Sequence, residues 1–235
     1  MLGAGTGLLG VAAAEAGNLV AGRDATLTAV TPPGETLMYE HGVLKRVLLV
    51  YQCALTRLDA DLPLAAAAVR QGAQIIHNYI EGFHEALEEA YVFPALQAAH
   101  TLGPTVDTLL TQHARGREIT QLLLADSNPQ ALASATTRSR LTAAVIAFVR
   151  MYEPHEARED TIVFPAYRSW LDARQLQRDG QTFLDLQTRQ FGPAAFSDTV
   201  AQVAEIEQSL SIYDLNQFTP AAELANPAAL PRSEG

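Results

Sequence analysis

The chain has 235 residues, 48% hydrophobic and 18% charged, which suits one compact domain with a real core or at most two small ones. Sixteen basic against 26 acidic residues give a formal net charge of −10, which repels phosphate backbones and argues against nucleic acid as a partner. A single cysteine, Cys53, excludes an internal disulfide, a CxxC redox pair and a thiolate zinc cluster, so any metal has to be held by imidazole and carboxylate.

The stretch from Leu2 to Ala14 is uncharged and rich in Gly, Ala and Leu. It reads either as the apolar part of a secretory signal whose basic start lies upstream, implying export, or as an apolar leader on a cytoplasmic chain. At about 13 residues it is shorter than the ~20 a bilayer span needs, and no other apolar run is long enough. Residues 17–35, ending in Thr31-Pro32-Pro33-Gly34, read as a linker, which makes 1–35 a leader and linker ahead of the domain.

A first helix is predicted from Leu37, with its apolar stripe through His41, Leu44, Leu48, Tyr51, Leu55 and Leu58 at alternating steps of four and three. A second, from about Leu64 to Gln97, has a seam of Ile76/His77, Ile80, His84, Leu87/Glu88, Tyr91 and Ala95. Gly103-Pro104 separates it from a third, roughly Thr105 to Ala125, with Leu109/Leu110, His113, Arg117 and Thr120 on one face. The fourth, about Gln130 to Phe164, carries Leu141, Val145, Phe148, Tyr152, His155, Glu159 and Ile162. No segment alternates with period two, so the predicted fold is all-α, an antiparallel up-down-up-down four-helix bundle over residues 36–168. Two short helices, about 174–189 and 197–212, form a C-terminal extension over 169–215, and the Pro/Ala-rich residues 216–235 read as a loosely ordered tail.

The ends of helices two and four repeat each other, His84-Glu-Ala-Leu-Glu-Glu-Ala-Tyr-Val-Phe-Pro-Ala-Leu96 against His155-Glu-Ala-Arg-Glu-Asp-Thr-Ile-Val-Phe-Pro-Ala-Tyr167, identical at eight of thirteen positions. Each copy contains HxxxE, and four helical residues advance about 6 Å while turning about 40° past a full circle, so both side chains reach one point. His41 and His113 come from the other two helices. The set His41, His84, Glu88, His113, His155 and Glu159 therefore offers ligands from every helix to two ions, with Glu88 and Glu159 expected to bridge and the histidines terminal. Such donors suit iron, manganese or zinc. The alternative is a metal-free structural bundle in which these groups only hydrogen-bond one another.

These residues resemble the hemerythrin-like family, also called HHE cation-binding domains, whose pattern is H…HxxxE…H…HxxxE with Phe-Pro after each HxxxE. The match runs through His41, His84/Glu88, Phe93-Pro94, His113, His155/Glu159 and Phe164-Pro165. The resemblance implies a non-haem di-iron centre, bridged by two carboxylates and an oxo or hydroxo group, with a position open to dioxygen, peroxide or nitric oxide. It also implies roles ranging from oxygen binding, with weak oxidase or peroxidase activity, to iron handling and redox sensing. One departure is that Arg117 stands four residues after His113, where oxygen-carrying members have a second histidine.

Glu85 and Glu156 follow the motif histidines and could add terminal ligands; the ~100° step between neighbouring helical residues favours turning them outward as exposed glutamates. His77, about 10 Å before His84 along the axis, reads as a core residue or a hydrogen-bond support, not a ligand. Tyr39, Tyr51, Tyr91 and Tyr152 are expected in the core near the ligands, His100 near a helix end, and Cys53 buried and inert. Pro154, inside helix four beside His155, either aims that ligand or is a tolerated kink. No nucleotide loop, nucleophile elbow or Rossmann turn is present.

Overall fold

The computed structural model describes residues 30–58 and 61–220, and every regular element among them is helical. The apolar stretch from Leu2 to Ala14 and most of the expected tail lie outside the described residues; of the described tail residues 216–220, 216–218 lie in a short 3₁₀ turn, Leu215–Phe218. No described helix is long and apolar enough to cross a membrane.

Helix α1 is Pro33–Arg57, so the expected linker stops short of residue 35: Pro33 occupies the first turn, where its fixed φ suits a helix and its missing N–H is not needed. Helix α2 is a continuous rod over 62–98, started by Asp61, whose carboxylate accepts the Leu64 N–H at 3.3 Å. Within it, Ile76–His84 and Glu88–Val92 are π-helical. Helix α3 is Gly103–Asp126; Gly103 and Pro104 begin it, and the turn before it lies at His100 and Leu102, both with positive φ. A 3₁₀ turn, Ala131–Ala133, precedes Ser134, which caps helix α4, a rod over 135–170 whose Glu159–Val163 segment is again π-helical.

The π segments explain where the expected stripes slip. A π turn takes in one more residue than an α turn, so everything beyond it is rotated by one position. Val92 and Leu96 are buried where Tyr91 and Ala95 were expected, and Val163 and Tyr167 are buried while Ile162 is 37% exposed. The same widening turns His77 out of the seam. Its side chain is 49% exposed and its ring only meets Glu81 at 3.2 Å, which corrects its expected place in the core. Tyr39 is likewise half exposed against Phe196, and Cys53 is half-buried.

The four long helices close a ring, α1 against α2 and α4, and α3 against α4 and α2. Leu44, Val47, Tyr51, Ile80, Val145 and Phe148 fill its interior at 1% exposure or less. Each such side chain contributes roughly 1.5–3 kcal/mol by leaving water. Helices α5, Ala173–Phe191, and α6, Ala195–Ser209, follow as expected, with Gly192 at φ 89° ending α5. They lie mainly against α1 and α2; Arg46 grips Glu207 with two bonds of 2.9 and 2.6 Å, Arg57 donates to the Leu210 carbonyl at 2.7 Å, and Tyr167 of α4 donates to Asp179 of α5 at 2.7 Å.

Candidate metal centre

All six expected ligands are buried and converge inside the ring. His41, His84, His113 and His155 are 0–4% exposed, and Glu88 and Glu159 are fully buried. The donor atoms of His41, His84 and Glu88 lie within 4.8 Å of one another, as do those of His113, His155 and Glu159. The two triads are cross-linked by their carboxylates. Glu88 lies 3.5 Å from Nε2 of His84 and 3.4 Å from Nε2 of His113, while Glu159 lies 3.1 Å from Nε2 of His155 and 3.4 Å from Nε2 of His41. Each glutamate thus spans both triads.

Every imidazole is held from behind. Nδ1 of His41 meets Asp160 at 2.7 Å, that of His84 meets Glu40 at 2.9 Å, that of His113 meets Glu89 at 3.0 Å and that of His155 meets Gln112 at 2.9 Å. A neutral ring that donates its Nδ1 proton outward presents the Nε2 lone pair inward, the orientation metal-binding histidines adopt. Phe164 and Phe93, the aromatic residues of the two Phe-Pro pairs, lie against His41 and His113 with ring centroids 5.4 and 5.6 Å apart.

Both oxygens of Glu88 and of Glu159, and Nε2 of His113, are buried without a hydrogen-bond partner among the described residues. Two carboxylates left so in a protein interior cost several kcal/mol each. A bound cation removes that cost, and with four inward imidazoles and no thiolate the donor set fits iron, manganese or zinc. The field of the site also favours positive charge. Burial lowers the His41 pKa, but the bond to Asp160 and the nearby Glu159 carboxylate outweigh it and raise it to about 9. Burial pushes Glu159 up, yet His155 and His41 hold it far below the usual carboxylate range.

The glutamates next to the motif histidines are not exposed, contrary to expectation: Glu85 is 1% and Glu156 0% exposed. The interior of a four-helix ring is wide enough to receive neighbouring positions of one helix, and each acid is met by a cation. Arg117 lies 2.8 Å from Glu85 and 2.6 Å from Glu89, and Lys45 lies 3.5 Å from Glu156. Glu156 joins no group of possible ligands, whereas Glu85 lies with Glu89 and His113 in a third group whose donor atoms are within 4.8 Å of one another. Burial raises Glu156 to about 7 and raises Glu85 as well. Glu89 instead falls to about 2, through its bond from His113 and its contact with Arg117.

Tyr152 donates to Glu85 at 2.7 Å, and its hydroxyl occupies the space beside Gly116, where an added Cβ would come within 2.0 Å of it. Alanine is the better helix former by about 1 kcal/mol. Gly116→Ala is nevertheless expected to destabilise the chain by about 2 kcal/mol through overpacking, read by urea denaturation; a stabilised variant would show that Tyr152 moves freely.

The supporting residues Glu40, Glu89, Gln112 and Asp160 are missed by motif reasoning, though a signal exists. The acid after each motif glutamate (Glu89, Asp160) and the residue before each lone histidine (Glu40, Gln112) recur in both halves.

No family model matches the chain, and no solved structure matches it. Curated proteins do. An uncharacterized protein of Mycobacterium tuberculosis, Rv1995, and one of Mycobacterium bovis, Mb2018, are each 49% identical to it over 191 residues, covering 81% of this chain and 74% of the relative.

Proposed function

The chain belongs to the family of these mycobacterial proteins, and from its own geometry we propose that it is a non-haem di-iron protein that binds dioxygen or a related small oxidant. The bundle is read as antiparallel, up-down-up-down, which the closed ring of helix contacts and the short connections support. The observation that carries the reading is the set of partnerless buried oxygens on Glu88 and Glu159, each reached by imidazoles of both triads. The resemblance of the H…HxxxE…H…HxxxE pattern to hemerythrin-like domains supports iron over manganese or zinc.

Glu88, Glu159, His41, His84, His113 and His155 would hold the two ions. Bound iron supplies reversible electron transfer to a small oxidant. The chain contributes the rest: Asp160, Glu40, Glu89 and Gln112 fix the imidazole rings, and the apolar shell of Phe93, Phe164 and Phe148 keeps bulk water out. Arg117, standing where oxygen carriers have another histidine, is committed to Glu85 and Glu89, so the metal pair would have one imidazole fewer than in those carriers.

Iron analysis and the optical spectrum of aerobically purified protein test this. About two irons per chain, with near-ultraviolet absorption that changes on exposure to oxygen, peroxide or nitric oxide, are expected. A colourless protein that takes up no iron overturns it. Asp160→Asn, which weakens the support of His41, is expected to lower iron affinity roughly 10–100-fold with the fold unchanged, read by competition with a chelator.

A further inference from the structure

The duplication extends beyond the HxxxE copies. Pro32-Pro-Gly-Glu-Thr-Leu-Met-Tyr-Glu-His41 in and before α1 matches Pro104-Thr-Val-Asp-Thr-Leu-Leu-Thr-Gln-His113 in α3, at an offset of 72 residues against 71 for α2 and α4. The two halves therefore surround the six ligands with equivalent positions: Leu37 and Leu109, Glu40 and Gln112, Phe83 and Pro154, Leu87 and Arg158, Tyr91 and Ile162. Their environments differ. In the first half α5 covers Phe83 and Tyr91. Phe183 packs on Tyr91 at 5.3 Å between ring centroids and Phe191 on Phe83 at 5.7 Å, and Gly180 lies so near the Thr31 carbonyl that a Cβ would be 2.5 Å from it. In the second half Pro154, Arg158 and Ile162 are exposed. A cleft of about 410 Å³ opens there, lined by Leu109, Gln112, Pro154, His155, Arg158 and Ile162.

We propose that this cleft between α3 and α4 is the entrance through which small molecules reach the metal pair, from the side of His113, His155 and Glu159. The proposal rests on the di-iron reading. His155 and the amide that holds its Nδ1 form the floor of the cleft. The closed half has the charged Glu40 behind His84, whereas the open half has the neutral Gln112 behind His155, a weaker bond that is easier to part. Pro154, with no N–H to donate, lines the opening directly beside His155. Arg158, exposed and with no ion pair among the described residues, supplies positive charge in a chain of net charge −10. The cleft suits a small neutral or singly anionic molecule, the class that includes azide.

The test fills the opening with Thr108→Trp and, separately, Ile162→Trp, both at exposed positions. In the metal-free chain, carbethoxylation of individual histidines, located by peptide mass, is expected to slow on the order of tenfold at His155 in both variants and to stay unchanged at His84. In the iron-loaded chain, azide association slows while iron content stays at the wild-type value. Unchanged His155 modification in both variants overturns the entrance. An absence of iron in the wild type overturns the di-iron reading, and the metal-free experiment still decides the cleft.

Discussion

Replacing Glu88 and Glu159 together by glutamine is expected to abolish iron loading, from about two ions per chain to a background level, while the helical circular dichroism signal stays at its wild-type value. The amide matches the carboxylate in volume, so the core keeps its packing, but it lacks the negative charge that spans both triads. Removing a supporting hydrogen bond costs roughly 10–100-fold in metal affinity, and losing both shared ligands should exceed that. If these acids only served internal polar pairing, the variant would keep whatever metal the wild type holds. Single variants are informative as well. Because each glutamate touches imidazoles of both triads, either one alone is expected to weaken both ions and not just one.

Removal of the metal is expected to lower the melting temperature of the wild type by about 10 °C or more. A ligand bound only by the folded state stabilises it by about 4 kcal/mol when its concentration is a thousand times the dissociation constant, and each kcal/mol is worth roughly 2–4 °C in a domain of this size. The chelator-treated protein must carry its buried acids without that compensation. Differential scanning calorimetry before and after chelation measures the difference, and in the double glutamine variant the two traces should coincide. A wild type that melts at one temperature with and without chelator would mean that the centre has a purely structural, metal-free role.

Much of this centre is legible in the sequence because an α-helix brings residues four apart to one point, and the HxxxE copies are long enough to exclude chance. The six expected ligands fall into two groups of three, each containing one HxxxE pair as that rule requires. The rule fails where the helix is not α. In α2 and α4 the π segments widen the turn beside the ligands, which moves His77 and Ile162 outward and sends Val92 and Val163 into the core. Sequence periodicity has no mark for that change. Glu85 and Glu156 are misplaced for a different reason: a lone glutamate is assigned to water by default, and only tertiary contacts with Arg117 and Lys45 account for its burial. The residues behind the histidines, Glu40 and Gln112 above all, become interpretable once the two halves are superimposed in register.

The most direct measurement is anomalous diffraction from crystals of the iron-loaded protein, with data collected on both sides of the iron absorption edge. Two peaks per chain are expected between Glu88 and Glu159, one against His41 and His84 and the other against His113 and His155. Peaks elsewhere, or none at that position in protein shown to contain iron, would contradict a metal pair held by these six residues.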